Sequence, residues 1–110
     1  MVSTGLLIRM WAKPGQEAAV EEFLQGAVPI VDQEAGTTAF FALRLGPSEF
    51  GIFNAFPDDA ARQAHVTGQA AKALFEVAGT LLAQAPSIEP VEIIGSKVPN
   101  AAATEYQPVG

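Results

Sequence analysis

Apolar residues in this chain switch between a period of two and a period near 3.6, and the order of the switches leaves few folds open. Leu6 to Lys13 reads as a strand that stops at Pro14-Gly15. From Gln16 onward, Val20, Phe23, Leu24, Ala27, Val28 and Val31 fall on one helical stripe, with Glu17, Glu21, Glu22 and Gln25 between them. That helix carries Pro29, which predicts a kink near Val28, a weaker last turn to Glu34 and Gly36 as a left-handed stop. Thr37 to Leu45, rich in β-branched and aromatic residues, forms a second strand. Gly46-Pro47-Ser48-Glu49 then turns the chain into a third strand, Phe50 to Phe56. Asp58 is placed to cap a short helix from Asp59 to about Val66, broken at Gly68. A longer helix follows, with Ala71, Leu74, Phe75, Ala78, Leu81 and Leu82 on its stripe, and Pro86 ends it. Val91 to Val98 makes the fourth strand. Residues 99–110 read as a polar, Ala-rich tail, flexible or docked on a partner subunit.

The order β-α-β-β-α-β is a ferredoxin-like α+β arrangement, with residues 1–98 forming one domain. A four-stranded antiparallel sheet carries both helical segments on one face. If the other face met water, one parity of each strand should be polar. It is not. Leu6, Ile8, Met10 and Ala12 share one face of the first strand, while Leu7 and Trp11 share the other with Arg9. In the second strand Ala39, Phe41, Leu43 and Leu45 oppose Phe40 and Ala42, and in the fourth Val91 and Ile93 oppose Ile94 and Val98. Two apolar faces and one helical layer predict a homodimer, in which a second copy covers the open face.

Composition points the same way. The 110 residues are 49% hydrophobic and 16% charged, against an average charged share of roughly 25%. High apolarity excludes a disordered chain. Twelve acids against six bases give a formal charge of −6, which argues against a nucleic-acid or anionic-membrane surface. Cysteine is absent, so there is no disulfide framework, thiolate metal site or cysteine nucleophile. No apolar run approaches the roughly 18 residues of a membrane helix. No targeting pattern opens the chain, so the expected location is cytoplasmic.

His65 is the only histidine, and no acid cluster has ligand spacing, so no metal site is expected. No Gly-x-Gly-x-x-Gly or phosphate loop appears, which leaves nucleotides and flavins without a fingerprint. What remains is a small set of polar groups inside apolar segments: Arg9, Arg44, Asn54 and His65. His65 stands four residues after Ala61 and three before Gly68, small neighbours that allow close approach to a sheet or leave room for a ligand. Because imidazole titrates near neutrality, His65 is either a general base or a ring packed at the helix–sheet boundary. Arg9 and Arg44 either snorkel or pair with acids such as Glu49 and Glu92, or else they meet a ligand. Asn54, an amide in mid-strand, must satisfy its hydrogen bonds internally or hold a ligand's polar group. Trp11 and Phe56 are most simply core.

The stretch from Phe53 to His65 resembles the antibiotic biosynthesis monooxygenase family, in which a strand ends in an aromatic, a polar turn opens a helix, and a His comes nine residues after the aromatic. Phe56 and His65 hold those two places. Arg9 to Glu17, with its Pro14-Gly15 turn, looks like the family's first strand and turn, and Glu34-Ala35-Gly36 like its usual end of the first helix. The resemblance implies a dimeric α+β barrel with a pocket between sheet and helices in each subunit. Some members oxygenate phenols or quinols with O2 and no metal, flavin or other cofactor. On that resemblance His65 is the base, Asn54 and one of Arg9 or Arg44 steady the oxyanion, and Trp11, Phe56, Arg44 and Ala61 contact a small aromatic substrate. The best-known members have an Asn where this chain has Ile52 and a Trp where it has Phe56; Asn54 shares the parity of Ile52. The haem-degrading branch has a Trp at the place of His65 and an axial His at that of Phe75, so haem degradation is not expected. The other readings are a non-catalytic binding protein for a small aromatic ligand, and an isomerase or lactone-handling enzyme.

Overall fold

A computed structural model describes residues 1–98; the expected tail, 99–110, lies outside the described residues. The elements run β1 (Thr4–Trp11), α1 (Glu17–Asp32), β2 (Ala39–Arg44), β3 (Glu49–Phe56), α2 (Asp59–Val66), α3 (Gln69–Leu81) and β4 (Ser87–Glu92). The second helical segment is two helices, so the order is β-α-β-β-α-α-β. All strand pairs are antiparallel, and the sheet order is β2-β3-β1-β4, the ferredoxin-like arrangement expected from the period switches. Asp58 caps α2 as its position predicts, its carboxylate accepting from the Ala61 N–H at 2.9 Å. The break between α2 and α3 falls at Thr67 and Gly68.

Register decides which side chains meet. Leu6, Asn54 and Phe40 lie in one cross-strand row, Ile8, Ile52 and Ala42 in the next, and Met10, Phe50 and Arg44 beyond them. This face lies under the helices. Leu6, Ile8, Met10, Phe50, Ile52 and Phe56 pack there with Val20 and Leu24 of α1 and Leu74 of α3. The other face carries Leu7, Phe53 and Phe41 in one row and Arg9, Gly51 and Leu43 in the next. Phe41 is 54% exposed and Leu43 37%.

Three expectations need correction. The fourth strand is Ser87–Glu92, not Val91 to Val98; Ile94 is fully exposed, off the sheet. Pro90 sits inside the real strand, which is possible because β4 is an edge strand and pairs only with β1. Helix α1 runs through Pro29 but ends at Asp32, so Glu34 lies in the loop beyond it. Gly36 is not the left-handed stop. Among the described residues the positive φ belongs to Gly15, at 87°, in the turn after β1. Gly36 serves contact instead: a Cβ there would stand 2.8 Å from the Cβ of Ala61.

Candidate active site

That close approach positions the site. With no side chain on Gly36, the loop between α1 and β2 lies directly against α2 at Ala61. His65 is one helical turn further along α2 from Ala61, on the same side. Glu34, two residues before Gly36, reaches it: His65 Nδ1 lies 2.5 Å from Glu34 Oε1. The same oxygen accepts from the Thr37 hydroxyl at 2.8 Å. Gly68 leaves room on the far side, since a Cβ there would stand 3.2 Å from Glu34 Oε2. From the sheet, the fully buried Asn54 places its Nδ2 3.0 Å from His65 Nε2. Phe56, also fully buried, holds the imidazole from the side, the ring centroids 5.4 Å apart and the planes tilted by 44°. Arg62 clips α2 to the sheet by donating to the Thr4 hydroxyl at 2.6 Å, while its second bond, to Asp59 at 2.6 Å, stays within α2.

The partners assign the tautomer. An ionised carboxylate only accepts hydrogen bonds, so Nδ1 carries the proton and donates it to Glu34. Nε2 then presents a lone pair, which the Asn54 amide N–H meets. The arrangement is a chain of three, Glu34–His65–Asn54, assembled from a loop, a helix and a strand. Two buried oxygens in it have no protein partner, Asn54 Oδ1 and Glu34 Oε2. An unmatched buried acceptor costs about 1–3 kcal/mol, so the side-chain amide of Asn54 is tied down through Nδ2 alone.

His65 also lines a cavity of about 60 Å³ between the sheet and the helices. Its walls are Leu6, Ile8, Ile52 and Phe40 from the sheet, and Phe23 and Ala27 of α1 with Ala70, Ala71 and Leu74 of α3 from the helices. His65 is the one polar side chain in the lining. Val66, Phe75 and Ile88 complete it and are partly exposed, so the mouth is apolar as well.

The structure thus brings together His65, Asn54, Phe56 and Ala61 of the residues expected at a site. It does not bring the arginines or Trp11. Arg9 and Trp11 lie on the opposite face of the sheet, where Arg9 faces Glu49 at 3.6 Å, an ordinary exposed ion pair. Arg44 is on the helix side but at the other end of its strand, bound to Glu21 of α1 and stacked over Phe50 at 4.6 Å. Neither guanidinium reaches the cavity. Glu34 was missed as a site residue, because 31 positions separate it from His65 and no local pattern couples them. Among the described residues no group of three or more His, Asp or Glu side chains could hold a metal ion, and no helix is long and apolar enough to cross a membrane.

Comparison with known proteins agrees with this architecture. The family model of the antibiotic biosynthesis monooxygenases matches residues 4–77, from β1 into α3. The chain belongs to that family. A crystal structure of a protein of unknown function from Nitrosomonas europaea is similar at 54% identity, with a TM-score of 0.88 over 90% of this chain and 96% of that one. A candidate antibiotic biosynthesis monooxygenase from Caulobacter crescentus shares the fold at 18% identity, TM-score 0.74, over 86% and 92% of the two chains. Another from Nitrosomonas europaea does so at 14% identity, TM-score 0.75, over 84% and 90%. A search of curated proteins finds no match.

Proposed function

We propose that this member of the family is a cofactor-independent monooxygenase that oxidises a phenolic or quinol-like substrate with O2 in the cavity beside His65. The observation that carries the reading is the Glu34–His65–Asn54 chain at the wall of an otherwise apolar pocket. A phenol that has lost its proton is electron-rich enough to pass an electron to O2 directly, so the protein's part is a base, orientation and exclusion of water. The balance is simple: a phenol with a free ortho or para position and O2 give a quinone and water, and a quinol with a free ring carbon gives a hydroxyquinone and water. His65 Nε2 takes the hydroxyl proton, the incoming hydroxyl competing with the Asn54 amide for the lone pair. Glu34 then faces an imidazolium through Nδ1, which a carboxylate stabilises. Once Nε2 carries a proton, Asn54 can turn its unmatched Oδ1 toward it and become the acceptor.

The test is oxygen uptake across a panel of quinols. His65→Ala is expected to lower the rate by about 10²–10⁴, the usual contribution of a general base; unchanged uptake would remove His65 from the mechanism. One observation favours a second reading. The Asn54 amide already occupies the lone pair of Nε2, which suits a protein that binds a small aromatic ligand without turning it over. Ligand binding with no oxygen uptake by any quinol would select that reading.

The open face of the sheet supports a further part of the proposal: two copies pack through Leu7, Trp11, Phe41, Leu43 and Phe53. Burial of this face is the simplest reason for such residues to stand on it. A monomeric mass by light scattering at micromolar concentration would exclude the homodimer.

A further inference from the structure

The cavity carries information about charge as well as shape. We propose that it selects an uncharged phenol with an apolar substituent and rejects aromatic carboxylates, an inference that rests on the monooxygenase reading for the ligand's hydroxyl. Its lining offers one polar side chain, His65, and that imidazole is already matched to the carboxylate of Glu34 at 2.5 Å. A phenol hydroxyl gains a partner there by displacing the Asn54 amide from Nε2. A carboxylate does not: laid against apolar walls without a cation or several donors, an anion gives up hydration that nothing there repays.

None of the six cations lines the cavity: four are committed elsewhere, and Lys72 of α3 and Lys97 are exposed to solvent. Arg9 faces Glu49 on the other side of the sheet, Arg44 is bound to Glu21, and Arg62 is held by Thr4 and Asp59. Lys13 donates to the carbonyl of Gly79 at 2.7 Å. Glu34, next to the imidazole, repels a second anion, and the whole chain carries −6. At the mouth, Val66, Phe75 and Ile88 are 36%, 56% and 40% exposed. At about 60 Å³ the cavity is smaller than a phenyl ring, so the ring itself reaches into the mouth and a substituent lies along this apolar rim.

A matched pair of probes isolates the charge: 4-propylphenol and 3-(4-hydroxyphenyl)propionate differ by a methyl group against a carboxylate. Both are titrated into the full chain while the imidazole proton resonances are followed by NMR. With a single histidine in the sequence, those signals belong to His65 without further assignment. The expected result is that 4-propylphenol shifts them and binds at least about tenfold more tightly than the carboxylate. Phe75→Lys, at a half-exposed position, is expected to reduce that ratio to about threefold or less by placing an ammonium at the rim. Equal or tighter binding of the carboxylate to the unmodified chain overturns the inference, as does the absence of any His65 shift with either probe. Oxygen uptake is a separate readout. Binding of 4-propylphenol with no turnover of any quinol sinks the monooxygenase and leaves the selectivity standing, whereas equal turnover of charged and uncharged quinols does the reverse.

Discussion

The two faces of the sheet are about equally apolar and have opposite fates. Under the helices, Leu6, Ile8, Met10, Phe50 and Ile52 are almost wholly buried, and the polar groups among them, Asn54 and His65, are buried with partners. On the far face, Phe41, Leu43 and half-buried Leu7 and Trp11 remain in reach of water, and the charges among them are Arg9 and Glu49, which form a solvent-exposed ion pair, and Glu89 opposite Leu7. The contrast shows that apolarity alone does not mark a site. A functional pocket needs a polar group whose burial is tolerated, and only the helix side supplies the loop and helix that hold one.

The comparison can be broken at several points. Phe41→Glu puts a carboxylate on the open face and should weaken self-association by about a hundredfold or more, as a charge forced into an interface does; sedimentation or light scattering across a dilution series reads it. A dimer that survives unchanged would mean that the open face is not the interface. Glu34→Gln leaves an acceptor for Nδ1–H but removes the charge facing the imidazolium. The loss of a charge-assisted bond, about 1.5–3 kcal/mol, corresponds to roughly a 10–100-fold fall in kcat with a smaller change in KM. If kcat holds, Glu34 is structural only. Gly36→Ala drives a methyl group into Ala61 and should cost about 1–3 kcal/mol of stability, as overpacking does, measured by thermal or denaturant unfolding. Adding Ala61→Gly should restore most of that loss; a failure to do so would show that the loop is held by something else. The smallest effect is expected from Arg9→Ala, within about 1 kcal/mol in stability. Its quinol turnover should stay within about twofold, since Arg9 is on the face away from the cavity.

The sequence carried the part of this comparison that is written in local periodicity. The two parities of β1, the helical stripe of α1, the Asp58 cap and the break near Gly68 each follow from neighbours a few residues apart. The fourth strand is hard to place from sequence because Glu89 and Pro90 look like strand breakers, whereas an edge strand tolerates both and the more apolar Ile93 and Ile94 lie beyond it. Gly36 stands out in the sequence as a stop, but its role is steric clearance against Ala61 rather than a left-handed backbone, and the two look alike in a sequence. The site was readable only in half. Asn54 and His65 stand out as polar residues in apolar company; Glu34 does not, because a glutamate near a helix end is ordinary until the fold brings α2 against it. The distances that exclude Arg9, Trp11 and Arg44 from the pocket likewise depend on which face a strand presents.

Pro90 has a consequence for how copies of this protein can meet. Ile93 donates to Ser3 across β1 and β4 at 3.0 Å, and counting along the ladder from that bonded pair makes Leu6 and Pro90 a non-bonded one. The nitrogen of Pro90 therefore points outward, where any other residue would offer a hydrogen to a visiting strand. Growth of the sheet sideways is blocked at that rung. An endless sheet needs both edges, β2 and β4, so one proline on β4 works against growth into a fibre.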